Sequence, residues 1–261
     1  MHQWQVILYL VAVLIFVFIS LYLVATGCEK HGIASPHDVF HIITWTIVLG
    51  FIGARLGYVL IEYKIYLHEP LQTLMLWKGG YSSMGAVITG GGIGLILLKK
   101  KNISILRFGD IVSPYIALSI FFTRVGGFIR GSSFGKVTYL PWAVIYPRGS
   151  LVFQAQVAKG ILSPTATHAL PVHPTTLYEA AGVVIAFIIV VYVYHRRHKD
   201  GAVMWTLLLV YSIERFIIDY FRGDMSPVVF NILTPSQLIS GLIAIGSIYA
   251  LIRSSPNFRI F

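Results

Sequence analysis

Long apolar stretches constrain this chain more than any other feature of its sequence. The first of them, Val6–Ala25, runs for 20 residues and contains Ser20 as its only small polar residue. A helix of about 20 apolar residues crosses the hydrocarbon core of a bilayer. The stretch follows no basic segment and precedes no small-residue cleavage site, so we interpret it as a first membrane span rather than a cleaved signal peptide.

Further apolar stretches follow along the chain, and the composition agrees with them. Hydrophobic residues make up 56% of the chain, charged residues make up 11%, and the mean hydropathy is +0.77. These values are typical of a chain that folds in lipid. We therefore predict an all-α integral membrane protein with about seven transmembrane helices. The predicted spans after the first are Val39–Ile61, Met84–Leu98, Ile111–Phe128, Leu177–Tyr194, Ala202–Phe221 and Leu238–Ile252.

Basic residues between the spans predict the orientation. They concentrate in two connections and in the tail: Lys99, Lys100, Lys101 and Arg107; Arg196, Arg197 and Lys199; Arg253 and Arg259. With seven spans, these three regions lie on one side, which the positive-inside rule assigns to the cytoplasm. The start of the chain is then expected outside and its tail in the cytoplasm.

The connection between the fourth and fifth spans, residues 129–172, is long and has no helical periodicity. It contains four prolines, four basic residues and no acidic residue. We predict that it forms an irregular outer cap within a single membrane domain of residues 1–261. The formal net charge of +10 is attributed to contact with anionic lipid headgroups, and no nucleic-acid partner is expected.

Charged residues inside the predicted spans indicate a shared polar interior. They are Arg55 in the second span, Arg124 in the fourth, and Glu214, Arg215 and Asp219 in the sixth. A charge near the middle of a span costs about 2.5–3.5 kcal/mol on insertion scales, so such residues face one another or a cavity. Two interpretations stay open. The arginines pair structurally with acids such as Glu179 or Asp219, or they form an anion site, since guanidinium groups match phosphate oxygens.

Helical spacing gives the sixth span one polar face. Tyr211, Arg215, Asp219 and Arg222 follow one another at steps of four, four and three residues. Residues at these steps lie along one side of a helix. The sixth span is therefore predicted to present this face to the polar interior.

Two glycine-rich stretches adjoin the spans. Gly79-Gly80-Tyr81-Ser82-Ser83-Met84-Gly85 precedes the third span, and Arg124-Val125-Gly126-Gly127-Phe128-Ile129-Arg130-Gly131 ends the fourth. Glycines there would let backbone N–H groups approach an anionic headgroup, and a role in tight turns fits equally well.

Together these residues resemble one family, the bacterial prolipoprotein diacylglyceryl transferases, over nearly the whole chain. The stretches that carry the resemblance are Gly53–Leu60; Gly79-Gly80 with Ser82 and Gly85; Arg124-Val125-Gly126 through Gly131 and Gly135; His173-Pro174-Thr175-Thr176-Leu177-Tyr178-Glu179; and Tyr211 with Arg215-Phe216-Ile217 and Phe221-Arg222. Their order and spacing match the family pattern. The resemblance implies a seven-helix membrane body with an outer cap between the fourth and fifth helices.

The resemblance also implies an activity in the bacterial cytoplasmic (inner) membrane. Members of the family move the diacylglyceryl group of phosphatidylglycerol to the lipobox cysteine of a secreted lipoprotein precursor, without a metal or another cofactor. A thiolate displaces a phosphate ester, so the site must hold the phosphate and help to deprotonate a thiol with a pKa of about 8.5. The family pattern assigns headgroup binding to Arg124 and an essential role to Arg215.

The candidate site residues follow from the intramembrane charges and the resemblance together. Those expected to be catalytic are Arg124, Arg215, His173 and Tyr81. Those expected to bind substrate are Arg55, Tyr58, Gly79, Gly80, Met84, Gly126, Gly127, Arg130, Tyr211 and Arg222. No metal ligand is expected.

Three positions depart from the family pattern. Met84 stands where the family usually has a histidine proposed as the catalytic base, Gly127 replaces an asparagine, and Ser132 replaces an acidic residue. A thioether takes no proton at neutral pH, so thiol deprotonation would fall to His173 or Tyr81, or would occur in solution. A purely structural role for His173, directly before a proline, stays open as well.

Three functions fit this pattern. They are a transferase that uses another base, a divergent paralogue with another acceptor or lipid, and a non-catalytic membrane protein that binds or transports a phospholipid or anion. Transport would favour paired half-helices or inverted repeats, which the sequence does not show. In the first case the expected partners are phosphatidylglycerol, or a related anionic phospholipid, and secreted lipoprotein precursors.

Overall fold

The computed structural model of this chain describes residues 3–196, 199–224 and 233–254, and these residues are mainly helical. The α-helices are α1 Gln3–Lys30, α2 Pro36–Ile61, α3 Tyr63–His68, α4 Ser83–Lys100, α5 Ile105–Arg130, α6 Leu151–Ala158, α7 Thr175–Tyr194, α8 Ala202–Ile218 and α9 Pro235–Ser254. Within these ranges, strand pairing is limited to isolated bridges. Arg197 and Arg259, which contributed to the predicted orientation, lie outside the described residues.

Five of the helices are long and apolar enough to cross a membrane. They cover Ile7–Lys30, Pro36–Ile61, Ile105–Arg130, Thr175–Tyr194 and Pro235–Arg253. The predicted all-helical membrane fold is therefore confirmed. The two other predicted spans fall on α4 and α8, which have 18 and 17 residues. That these two also cross the membrane stays a prediction.

The chain divides into two compact units. Residues 14–111 form the first, here called the α2–α4 unit, and residues 1–13 with 112–261 form the second, here called the α7–α9 unit. That the whole chain forms one membrane domain, as expected from the sequence, stays a prediction.

Glycines let α2 and α4 approach each other closely. A Cβ built on Gly53 would lie 1.8 Å from Thr89 Oγ1, and one built on Gly85 would lie 2.4 Å from the backbone oxygen of Gly53. Small residues at such a crossing allow the close packing that holds membrane helices together. Gly57 follows Gly53 at the spacing GxxxG, and a Cβ built on it would lie 3.0 Å from Gly85 Cα, so both glycines serve helix packing in the α2–α4 unit.

Helices α5, α7 and α8 share an apolar core in the α7–α9 unit. Its buried members are Ala117, Val183, Val190, Val203 and Leu207. Helix α9 is joined to α8 by polar contacts, since Gln237 Nε2 donates to the Phe216 carbonyl at 3.2 Å and Thr234 Oγ1 donates to Asp219 Oδ2 at 2.8 Å. These contacts hold the end of α8, where the polar face of that helix lies.

The connection from α5 to α7 corresponds to the predicted cap. It is irregular apart from the eight-residue α6, which begins where Ser150 Oγ accepts a hydrogen bond from Phe153 N. Isolated bridges, such as Val137 with Val172, join its extended segments. The short α6 is the part that the sequence analysis did not predict, because eight residues give too little periodicity to recognise. The outer location of the cap stays a prediction.

Candidate functional site

Three arginines of the α7–α9 unit surround one buried carboxylate. Glu179, in the second turn of α7, is only 1% exposed, and its Oε2 lies 3.3 Å from Arg124 Nε on α5. Its Oε1 accepts a hydrogen bond from Nη1 of Arg215 on α8. Nη1 of Arg222 lies 3.9 Å from the same oxygen. Arg124 and Arg215, predicted on separate helices, thus share a single acidic partner.

Two aspartates pair with the arginines at the end of α8. Arg215 Nη2 lies 3.1 Å from Asp219 Oδ1, one helical turn further along the chain. Arg222 donates two hydrogen bonds to Asp224, from Nε at 2.9 Å and from Nη2 at 2.7 Å. In the described part of the chain, each of the three guanidinium groups therefore has at least one carboxylate beside it.

The predicted polar face of the sixth span meets this cluster along its length. Tyr211 lies one turn before Arg215 on α8, and its hydroxyl accepts a hydrogen bond from Arg124 Nη2 at 3.0 Å. Asp219 and Arg222 follow on the same side. The residues that were predicted to share one face, from steps of four, four and three residues, therefore all contact the cluster in the structure.

The facing polar atoms of Arg124 and Glu179 have no hydrogen bond. Arg124 Nε and Glu179 Oε2 are both buried, and neither has a hydrogen-bond partner among the residues that the structure describes. They face each other at 3.3 Å as an ion pair, with no hydrogen bond between them. Buried polar atoms in proteins are nearly always hydrogen-bonded. The absence of a hydrogen bond at both atoms is therefore unusual.

His173 lies where the cap meets α7. Its Nδ1 is 3.2 Å from the Tyr178 hydroxyl, and its ring centroid is 5.4 Å from that of Phe221. Burial, and secondly the positive charge of Lys136, lower the pKa of His173 below its ordinary value. The imidazole is consequently neutral at pH 7 and can accept a proton.

The glycines near the end of α5 have packing roles. A Cβ on Gly126 would lie 2.2 Å from the hydroxyl of Tyr9, which donates a hydrogen bond to the Phe122 carbonyl at 2.7 Å. The carbonyl of Gly127 accepts a hydrogen bond from Ser132 N at 3.0 Å. Arg130, the last residue of α5, is exposed. Headgroup contact at these three predicted positions stays a prediction.

Arg55, in the α2–α4 unit, is buried and uses all its donors within the protein. The carbonyls that accept its hydrogen bonds are those of Gln72, Thr73, Met75, Gly79 and Gly80. A guanidinium group has five N–H donors, and each of them has one of these partners. The arginine thus organises the segment before α4. Direct contact with a substrate, as predicted, would require it to give up one of these bonds.

The other site residues predicted in this unit differ in their surroundings. A Cβ on Gly80 would lie 2.5 Å from the ring of Tyr58, so that ring packs on the glycine backbone. Tyr81 donates its hydroxyl to the Leu76 carbonyl at 2.6 Å, and its ring centroid is 6.0 Å from the Arg55 guanidinium. Met84 lies in the first turn of α4 and is 59% exposed.

The candidate site contains two acids that the sequence analysis did not place in it. Glu179 was considered there as a structural partner of the arginines, and Asp224 was not considered. The signal for Glu179 was its position at the end of the motif that begins with His173. Asp224 follows Arg222 by two residues in an irregular segment, where helical spacing gives no guidance.

Comparison with known proteins gives matches over almost the whole chain. The model of the family described as prolipoprotein diacylglyceryl transferase matches residues 1–253. A phosphatidylglycerol–prolipoprotein diacylglyceryl transferase of Geobacter sulfurreducens is 30% identical over 225 residues, which cover 84% of this chain and 77% of that protein.

Two similar proteins come from other bacteria and have the same name. The protein of Finegoldia magna is 30% identical over 233 residues, covering 89% of this chain and 85% of that protein. The protein of Lactobacillus acidophilus is 28% identical over 248 residues, covering 94% of this chain and 83% of that protein. The similarity therefore extends through both compact units.

Proposed function

Because this chain belongs to the prolipoprotein diacylglyceryl transferase family, we propose that it transfers the diacylglyceryl group of phosphatidylglycerol to a cysteine thiol of a secreted lipoprotein precursor. In this reaction the thiolate attacks the primary carbon that carries the phosphate. A C–S bond forms, the C–O bond breaks, and its electron pair leaves on the phosphate oxygen. The protein must hold the phosphate and accept the thiol proton.

The observation that carries the proposal is the convergence of Arg124 and Arg215 on Glu179. A carboxylate between two guanidinium groups occupies the position that suits a phosphate oxygen, because both anions accept charge-assisted hydrogen bonds from arginine. Arg124 Nε, buried and without a hydrogen bond among the described residues, provides a donor for such an oxygen. We therefore assign phosphate binding to Arg124 and Arg215, with Tyr211 and Arg222 beside them.

We assign the role of proton acceptor to His173. It is neutral at pH 7 because its pKa is lowered, and it lies in the same compact unit as the arginines. Tyr81 is the weaker candidate, because its hydroxyl already donates to a carbonyl. General-base assistance is worth about 10²–10⁴-fold in rate, so a His173→Gln variant should lose activity within that range.

The test is transfer to a lipobox peptide, followed by mass spectrometry, with purified protein and phosphatidylglycerol. Arg124→Lys and Arg215→Lys keep the charge but lose the planar fork, and each should lower the transfer rate about 10- to 100-fold. Arg148→Lys is the matched control. Arg148 is exposed in the connection between α5 and α7 and donates to the Pro164 carbonyl, so its variant should retain full activity.

The same assay separates the remaining functions. If Arg124→Lys and Arg215→Lys both modify the peptide as fast as the wild type does, the assignment of phosphate binding to the two arginines is refuted. Binding of phosphatidylglycerol without modification of any lipobox peptide would refute transfer and leave a phospholipid-binding protein, or a paralogue with another acceptor.

We further propose that the protein lies in the bacterial inner membrane with the start of the chain outside and Lys99–Lys101 in the cytoplasm. The native cysteine, Cys28, is fully buried and gives a low labelling background. Lys100→Cys should therefore react with an impermeant thiol reagent only after the cells are opened. Reaction of intact cells would reverse the proposed orientation.

A further inference from the structure

Glu214, on α8, is a partly buried acid to which the reaction described above gives no role. Both of its carboxyl oxygens are buried, and neither has a hydrogen-bond partner in the described ranges of the chain. Its carboxyl group lies against α7 at Gly182, where a Cβ would be 2.6 Å from Glu214 Cδ and Oε1. The glycine thus leaves the space that this carboxyl group occupies.

Charged groups of three helices act on Glu214. They are Glu179 on α7, Arg124 on α5 and Arg215 on α8. The two arginines are those proposed to bind the phosphate, and Glu179 is the carboxylate between them. Gly182 follows Glu179 by three residues, so Glu214 contacts the same side of α7 as the cluster, about one turn further along the helix.

The net charge of the cluster opposes the binding of an added anion. Three guanidinium groups, of Arg124, Arg215 and Arg222, stand beside the carboxyl groups of Glu179, Asp219, Asp224 and Glu214. If all of these groups are ionised, the cluster carries one net negative charge, and a bound phosphodiester would raise it to two. Unbalanced charge is costly in a site removed from water.

We propose that Glu214 limits the negative charge of the site, and that a phosphodiester lipid binds to the arginine cluster only when the Glu214 carboxyl group carries a proton, because the occupied site then carries one net negative charge instead of two. Of the four carboxyl groups, this one can take a proton without loss of a hydrogen bond or ion pair within the described chain. Protonation of Glu179 or Asp224 would instead weaken an existing pair with an arginine. The inference rests on the proposed binding of phosphate by Arg124 and Arg215.

The proposal is tested by the affinity for phosphatidylglycerol in detergent between pH 6 and pH 9. Over this range the phosphodiester keeps one negative charge and the arginines stay protonated, so neither changes the affinity. The wild-type affinity should fall with rising pH, by up to tenfold per pH unit. Glu214→Gln, which is neutral at every pH, should bind as tightly as the wild type does at low pH and show no such fall.

Glu62→Gln is the matched control, since it makes the same chemical change at an acid of the α2–α4 unit. This variant should keep the pH dependence of the wild type. A wild-type affinity that is constant from pH 6 to pH 9 would overturn the proposal. So would a Glu214→Gln variant that keeps the pH dependence or that loses binding at every pH.

If Glu214→Gln does not fold, the proposal can be tested on the wild-type protein alone. Titration calorimetry in two buffers of different ionisation enthalpy gives the number of protons taken up with the lipid. Uptake approaching one proton is expected at the pH where the wild-type affinity falls, and its absence there would contradict the proposal. If Arg124→Lys and Arg215→Lys bind the lipid as tightly as the wild type, the phosphate assignment itself fails, whatever the pH dependence.

Discussion

Arg124 on α5 and Glu179 on α7 face each other, with Arg124 Nε 3.3 Å from Glu179 Oε2 and no hydrogen bond between the two atoms. The other oxygen of the same carboxylate is bound by Arg215. One carboxylate thus serves as counter-charge to arginines of two different helices. Glu179 therefore links the stability of the α7–α9 unit to its proposed function.

The first prediction concerns the removal of this charge. Glu179→Gln keeps the shape of the side chain but removes the buried counter-charge that Arg124 and Arg215 share. Breaking a buried ion pair from one side costs about 3–5 kcal/mol, so the variant should unfold at markedly lower denaturant concentration. Equilibrium unfolding in detergent measures this loss, and Glu29→Gln, at the exposed end of α1, should show none.

Phosphatidylglycerol should restore part of the lost stability if the arginines bind its phosphate. A ligand that binds only the folded state stabilises it in proportion to its occupancy. An equal shift for the wild type and for Glu179→Gln would indicate that the lipid binds away from Glu179.

The sequence predicted the polar face of α8 well because helical spacing alone places Tyr211, Arg215 and Asp219 on one side. It did not distinguish the partners of the arginines, because Arg55 and Arg124 are the same residue type and each lies inside an apolar span. The difference lies in their partners. Arg55 binds carbonyls from a segment 17 to 25 residues later in the chain, and no local pattern reports such contacts.

The second prediction concerns this carbonyl site. Arg55→Lys keeps the charge but reduces the donors from five to three, so at least two charge-assisted hydrogen bonds are lost. Each is worth about 1.5–3 kcal/mol, and the loss should appear as local opening of the segment from Gln72 to Gly80. Hydrogen exchange followed by mass spectrometry should show faster exchange there and unchanged exchange in α7. Unchanged exchange in the segment would contradict the structural role.

The third prediction separates packing glycines from unconstrained ones in the α2–α4 unit. Gly53→Ala would place a Cβ 1.8 Å from Thr89 Oγ1, so α2 and α4 would have to move apart. Overpacking of this kind costs about 1–3 kcal/mol. Gly91, in α4, has no atom within 4 Å of a built Cβ, so Gly91→Ala should be neutral or should stabilise the helix by roughly 0.5–1 kcal/mol. Thermal unfolding of both variants in detergent measures the contrast, and equal effects would refute it.

The fourth prediction concerns the titration of His173. Burial contributes most to its lowered pKa and the charge of Lys136 contributes next, so Lys136→Met should raise the pKa part of the way towards the ordinary value. The folded protein holds the imidazole neutral, so stability is lost as the pH falls through the ordinary histidine range towards the folded pKa. That loss should be smaller in Lys136→Met. The ring proton shifts of His173 in NMR spectra give the pKa directly, and an unchanged value would exclude an electrostatic effect of Lys136.

The last prediction concerns Met84, at the position where the resemblance to the family implies a histidine. Met84 is 59% exposed in the first turn of α4, so Met84→His should change the free energy of unfolding by no more than about 0.5 kcal/mol. An added imidazole that reaches the thiol would supply a second proton acceptor, so transfer should become faster at pH 7 and less dependent on pH between 6 and 9. Met84→Gln is the control, because it is polar but takes no proton, and it should leave the pH profile unchanged. Equal profiles for Met84→His and Met84→Gln would show that a base at this position does not reach the thiol.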